Sequence, residues 1–218
     1  MPIRRLTRSA RPAVIALAAL VVASIAHAQS PSPYRLLDVL VFGAFLQVDA
    51  SAYSPEVRNQ LQQHIKRSES YRPRPRPAKQ EPWVMEMVHT AREGYERRLV
   101  AAASRSGVEA LAQRYVDDLK PCYEWEGFHD CPEREARFAE QYLAANPTSP
   151  FREFLQLLVA HRWICTAEGY EREEMPQEAA RARRAAEPSL ATALQSRPLL
   201  IRTAAQELKE LGRCHPGV

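Results

Sequence analysis

The sequence predicts an all-α fold, with helical hairpins packed as a bundle or short repeat-like array and stapled by disulfides. Three observations carry that expectation. The chain is rich in Ala, Leu, Glu, Arg and Gln, which favour helices, and poor in the β-branched residues that favour strands. Only seven of its 218 residues are glycine, and no stretch alternates apolar and polar residues between turn signals as a hairpin requires. Prolines fall where helices begin: Ser54-Pro55-Glu56 and Ser149-Pro150 place a capping hydroxyl before a first-turn proline, and Cys131-Pro132-Glu133 and Glu187-Pro188 repeat the proline logic.

Residues 1–28 read as an export signal. Arg4, Arg5, Arg8 and Arg11 form a basic start, 13–26 is uncharged, and Ala26-His27-Ala28 supplies a small-x-small cleavage pattern. The apolar stretch is well short of the ~20 residues that cross a bilayer, so cleavage after Ala28 is expected rather than an uncleaved anchor. No cysteine follows the cut for lipid attachment, and Leu6-Thr7-Arg8 after Arg4-Arg5 is a poor match to twin-arginine export. The expected address is the periplasm or the exterior, with no stable membrane insertion after cleavage.

Beyond the signal, helices are expected near 34–50, 55–70, 81–104, 107–120, 132–145, 150–171, 177–195 (broken at Pro188) and 198–212. Between the second and third, Arg72-Pro73-Arg74-Pro75-Arg76-Pro77 excludes a helix and favours an extended path. It is either a stiff solvated linker or a docking strip for an acidic partner. The expected organisation is therefore a helical pair over 29–71, a Pro/Arg-rich linker over 72–80 and a helical domain over 81–218. In the helix from Phe151, the residues Phe154, Leu155, Leu157, Leu158, Ile164 and Cys165 cover more than half the circumference, which places neighbours on several sides. The last helix shows one stripe, Leu200, Ala204, Leu208 and Leu211, with Glu207, Lys209 and Glu210 outside it.

Residues 136–151, from Ala136 through Tyr142 and Asn146-Pro147-Thr148-Ser149-Pro150 to Phe151, resemble the junction of two exported tetratricopeptide-type repeats. The resemblance implies stacked helical hairpins and a protein-binding groove rather than an enzyme. Tyr142 stands where that family has a small residue, and no 34-residue period recurs elsewhere.

Charge narrows the partners. The signal's four arginines account for the whole formal +4, and the remaining 26 basic and 26 acidic residues balance. A balanced chain lacks the basic footprint that nucleic-acid binding rests on. Locally, 71–105 is basic and 106–140 acidic, which reads as two solvated faces that attract each other or as a bipolar surface for a charged partner.

Four cysteines in an exported chain read as two disulfides. Cys122 and Cys131 bracket a short loop containing Gly127, which leaves Cys165 with Cys214. Loop entropy assigns ~3 kcal/mol to the short closure and ~4 kcal/mol to the long one. Cys122, His129, Cys131, Cys214 and His215 are also zinc-ligand types, but they lack Cys-x-x-Cys or His-Glu-x-x-His spacing, so no metal is assigned. Glu86…His89 and Glu126…His129 have the spacing of di-metal bundles. The first lies on the polar side of its helix with Glu93 and Glu96, and the second in a loop. Glu168, Glu171, Glu173 and Glu174 read as a solvated helix end.

His161, Arg162 and Glu168 form the one possible buried polar site, with His161 expected to be structural. No Gly-x-Ser-x-Gly elbow, phosphate loop or dinucleotide fingerprint is present, and neither a catalytic residue nor a cofactor is assigned. The functional expectation is an adaptor, inhibitor or immunity-type protein that binds another protein or an envelope component. The alternatives are a small-ligand or metal binder and an unrecognised hydrolase.

Overall fold

A computed structural model describes residues 34–43, 48–74, 83–103, 105–122 and 127–214. The expected signal 1–28, residues 75–80 of the linker, Glu126, His215 and the side chain of Glu86 lie outside the described residues. Eight α-helices follow in order: α1 Leu36–Phe42, α2 Pro55–Ser70, α3 Trp83–Ala102, α4 Glu109–Leu119, α5 Asp130–Ala145, α6 Arg152–Arg172, α7 Pro176–Ala193 and α8 Leu199–Leu211, with a 3-10 turn at Ala50–Ala52. No strand occurs among the described residues, apart from a single bridge between Tyr34 and Val48. None of the described helices is long and apolar enough to cross a membrane.

The fold is organised around α6. Every residue from Leu157 through Ala167 is buried, so the helix is enclosed on all sides, as its broad apolar arc requires. Its most extensive neighbour is α7, then α5. α7 presents Ala179, Ala182, Ala186 and Ala193, whose small side chains allow close approach. That packing carries α7 unbroken through Pro188, where a break was expected. A mid-helix proline costs ~3 kcal/mol in a lost hydrogen bond and a steric clash, and here the surrounding contact offsets it.

The first helix is shorter than expected. It ends at Phe42 because Gly43 turns left-handed (φ 80°) and donates back to the carbonyls of Asp38 and Val39. Leu36 to Val41 are all buried, and α1 packs chiefly on α8. The contact between them corrects the reading of Glu207 as solvent-facing, since it is only 8% exposed. Its carboxylate accepts from the Leu37 amide at 2.8 Å and from the Tyr53 hydroxyl at 2.7 Å, while Tyr53 accepts the Leu36 amide at 2.9 Å. Those amides are among the orphan donors of a helix N-terminus, which hydropathy alone does not locate.

α2 packs on α3 and α8, so the pair expected over 29–71 and the domain expected over 81–218 share one core within a compact unit from Pro31 onward. Glu96, read as lying on a polar face of α3, is 2% exposed. It accepts from the Tyr71 hydroxyl at 2.6 Å and from Arg74 at 2.8 Å. Arg74 also forks onto Asp117 of α4 at 2.8 and 2.9 Å, so the described start of the Pro/Arg segment is docked on the chain's own acidic side chains. The same contact joins the basic 71–105 stretch to the acidic 106–140 stretch.

The cysteines pair as Cys122–Cys131 and Cys165–Cys214, with Cα separations of 6.1 and 4.6 Å. The loop behind the first bridge lies directly on α6. A Cβ at Gly169 would stand 2.5 Å from the His129 amide nitrogen and 2.6 Å from its Cα, so only glycine admits this approach.

Two outcomes follow from this packing. Gly169→Ala should force the 127–129 backbone off α6 and lower stability by ~1–3 kcal/mol in urea unfolding, because an inserted methyl meets backbone rather than a movable side chain. The second concerns His64, fully buried on α2, whose pKa is drawn down to about 3 by burial and by the Arg67 cation. Its folded pKa lies below the unfolded value of ~6.5, so the stabilisation is present above that value and is lost as pH falls towards the folded one. Between pH 7 and pH 5 this group should remove ~2 kcal/mol of stability, and His64→Gln should abolish that part of the loss. Equal losses in the two proteins would refute the assignment.

Candidate functional site

The residues expected as one buried polar site divide between two tasks. His161 is fully buried, and its Nδ1 accepts from Arg162 Nη1 at 2.8 Å. That contact fixes the tautomer: Nε2 carries the proton and donates to the Cys214 carbonyl at 2.9 Å. Glu168, two turns on, accepts the Cys214 amide at 2.7 Å. His161 and Glu168 therefore hold both polar groups of one residue that is also cross-linked to Cys165. His161, Cys165 and Cys214 are the one ligand-type cluster among the described residues. With the two sulfurs joined and a guanidinium on the imidazole, that set does not suit a cation.

Arg162 belongs to the other task. It is 5% exposed, and its Nε donates to Glu135 of α5 at 2.6 Å. A second terminal nitrogen reaches the Val41 carbonyl at 3.5 Å, and the guanidinium lies 5.5 Å from the Phe42 ring centroid. This compensated pair forms part of the lining of a cavity of about 350 Å³ between α3, the end of α1 and the start of α5.

α3 builds the facing wall. Ala91, Gly94, Tyr95 and Arg98 recur at i, i+3, i+4 and i+7, which is one helix face. The two small residues leave room that Tyr95 and Arg98 border. Tyr95 is 2% exposed, and its hydroxyl closes no short hydrogen bond but interacts with the Glu135 carboxylate; burial and that charge push its pKa up. Arg98 lies 4.7 Å over the Tyr95 ring. Its Nε is shut off from solvent without an acceptor, and no carboxylate pairs with it among the described residues. Burial draws its pKa down to about 10, so it remains charged at neutral pH. Val41, Phe42, Ala91, Pro121 and Pro132 supply apolar lining, and Cys122 and Cys131 lie on the same cavity as a disulfide.

Sequence reasoning did not find Tyr95, Arg98 or Glu135. The available signal was the spacing of two small residues with a tyrosine and an arginine on one face of α3, a pattern that solvated helices also show. A second anchored group is His129, of the Glu126…His129 segment. Its ring stacks on Tyr170 at 4.1 Å and its Nδ1 lies 2.7 Å from Glu173. That hydrogen bond holds the Glu173 carboxyl below the ordinary range. Glu171 pairs with Arg183 at 2.8 Å, so the acidic end of α6 is tied into the structure rather than simply solvated.

No protein-family model matches the chain, and no curated protein or solved structure is significantly similar to it.

Replacing His161 by Ala would leave the Cys214 carbonyl and one Arg162 donor buried without partners. Urea unfolding should register a loss of ~1–3 kcal/mol. Unchanged stability would remove His161 from the structural set.

Proposed function

We propose that this is an exported binding protein whose α3–α5–α6 cavity holds a small ligand through an anionic group. One observation carries the reading: Arg98 is half-buried at a partly apolar cavity, its Nε has no acceptor, and the carboxylate that acts on it, Glu135, is already hydrogen-bonded to Arg162. An unpaired guanidinium in such a place is costly, and folds normally pair it or leave it in water. A ligand anion would supply the missing partner. The small, partly apolar cavity with a few convergent polar groups is the usual form of a small-molecule site. The expected signal peptide and the two disulfides support an extracytoplasmic setting.

A protein partner is the second reading. Its foothold is Phe128, 54% exposed on the loop that Gly169 holds against α6. Tyr34 and Met175 are the other large apolar side chains exposed among the described residues, which gives that reading less area to use.

The test separates ligand binding from a structural role for the arginine. Arg98→Met keeps most of the side chain's length and removes the charge. In ligand-free protein its stability should equal or exceed wild type by ~1 kcal/mol, because no hydrogen bond is lost, methionine keeps an apolar contact with the Tyr95 ring, and a charge whose Nε lacks an acceptor is removed. Small organic anions at matched ionic strength should raise the melting temperature of wild type and leave the variant unmoved. A variant destabilised in the absence of any ligand, with no anion response in wild type, would make Arg98 a packing residue.

A further inference from the structure

The same cavity constrains the chemistry of its occupant, and this step rests on the anion-binding reading above. We infer that the ligand is a compact monocarboxylate with an apolar body, of the aryl or short branched-chain kind.

The charge count sets the first limit. Two guanidinium groups and one carboxylate border the cavity, and Arg162 is already paired with Glu135 at 2.6 Å. One positive charge, that of Arg98, is left to be balanced. A ligand with a second negative group would bring it towards Glu135, where like charges repel.

The donor count sets the second limit. The donors at the cavity that close no short hydrogen bond are the Arg98 Nε and the Tyr95 hydroxyl one turn before it, the latter beside the Glu135 carboxylate. A guanidinium fork matches the two oxygens of a carboxylate, and the phenol adds a third hydrogen bond. A phosphate or sulfate would bring further oxygens than these donors satisfy, and each left bare costs its hydration. The Glu135 carboxylate faces the same space and cannot donate while ionised.

The remaining lining sets the third. Apart from the Thr90 hydroxyl, the side chains of Phe42, Val41, Ala91, Pro121 and Pro132 are apolar, so most of the ligand away from its carboxylate is apolar. At about 350 Å³ the cavity lies near the lower end of the range for ligand sites, which excludes long-chain acids and nucleotides.

The test uses the full mature protein and titration calorimetry at fixed ionic strength. The probes are benzoate, phenylacetate, isovalerate and hexanoate, against phenylmalonate, inorganic phosphate and the neutral analogue phenylacetamide. At least one monocarboxylate should bind at least tenfold more tightly than phenylmalonate, phosphate and phenylacetamide. Arg98→Met should abolish that binding. Tyr95→Phe should weaken it about tenfold with little loss of stability, since the hydroxyl closes no short hydrogen bond within the protein. Glu135→Gln, which keeps an acceptor for Arg162, should narrow the discrimination against phenylmalonate; should that variant fail to fold, the wild-type ranking decides alone. Preferential binding of phosphate or phenylmalonate, lost in Arg98→Met, would overturn the monocarboxylate class and leave the anion-binding cavity standing. Absence of binding by all four monocarboxylates and by both dianions would overturn the two together. Equal binding of phenylacetamide and phenylacetate would show an apolar pocket indifferent to Arg98, and would also overturn both.

Discussion

The guanidinium of Arg162 is the joint on which the rest of this structure turns. From the middle of the enclosed helix α6 it reaches Glu135 on α5, the Val41 carbonyl at the end of α1 and the ring of His161, which passes the connection to Cys214. Three helices meet on one planar group, and the C-terminal segment joins them through His161. A buried ion pair of this kind adds little net stability over a hydrophobic contact, because desolvating both charges offsets most of their attraction. Removing one partner is a different matter, since the other charge is then left buried and alone. The pair therefore acts on arrangement: α1, α5 and α6 meet in the register that gives Arg162 all its acceptors.

That register produces the cavity. With Glu135 and Arg162 fixed, the end of α1 is held over one side, and α3 closes another with the face that carries Ala91, Gly94, Tyr95 and Arg98. The Cys122–Cys131 bridge borders the same space and ties the segment after α4 to the first turn of α5. The Cys165–Cys214 bridge works at the far end of the same helix-centred network, where His161 and Glu168 hold the Cys214 backbone. The two cross-links thus serve different ends, one at the rim of the cavity and one securing the C-terminal segment to α6.

How much of this was legible depends on what each residue's signal reports. Helix positions were readable because capping hydroxyls, first-turn prolines and apolar spacing are local, and Ser54 does accept the Val57 amide as its position implies. The enclosed state of α6 was readable from the width of its apolar arc, and the disulfide pairing from one short spacing. Facing was legible only for apolar residues. Glu207 and Glu96 were assigned to solvent because carboxylates usually go there, yet each sits where donors from distant segments converge. Pro188 was read as a break because the intrinsic cost of a mid-helix proline is visible in sequence, whereas the alanine-lined contact with α6 is not. His161 stood out because histidine is rare on an apolar face; Arg98 did not, because an arginine three residues from a tyrosine is ordinary on any helix.

The contrast between those carboxylates and Arg98 gives the cavity its meaning. Glu207, Glu96 and Glu135 are each removed from water, and each receives donors that replace it. All three draw those donors from residues more than 20 positions away, so satisfaction was achieved through tertiary packing rather than by local accident. Arg98 and Tyr95 lie within the same fold, close to that network, and the Arg98 Nε and the Tyr95 hydroxyl close no such short hydrogen bonds. Here the guanidinium and the phenol lie one turn apart on one helix face and border the same partly apolar space, beside an arginine whose charge is already spoken for. Two unsatisfied donors converging on a volume that a small molecule fits are accounted for by an acceptor that arrives from outside the chain.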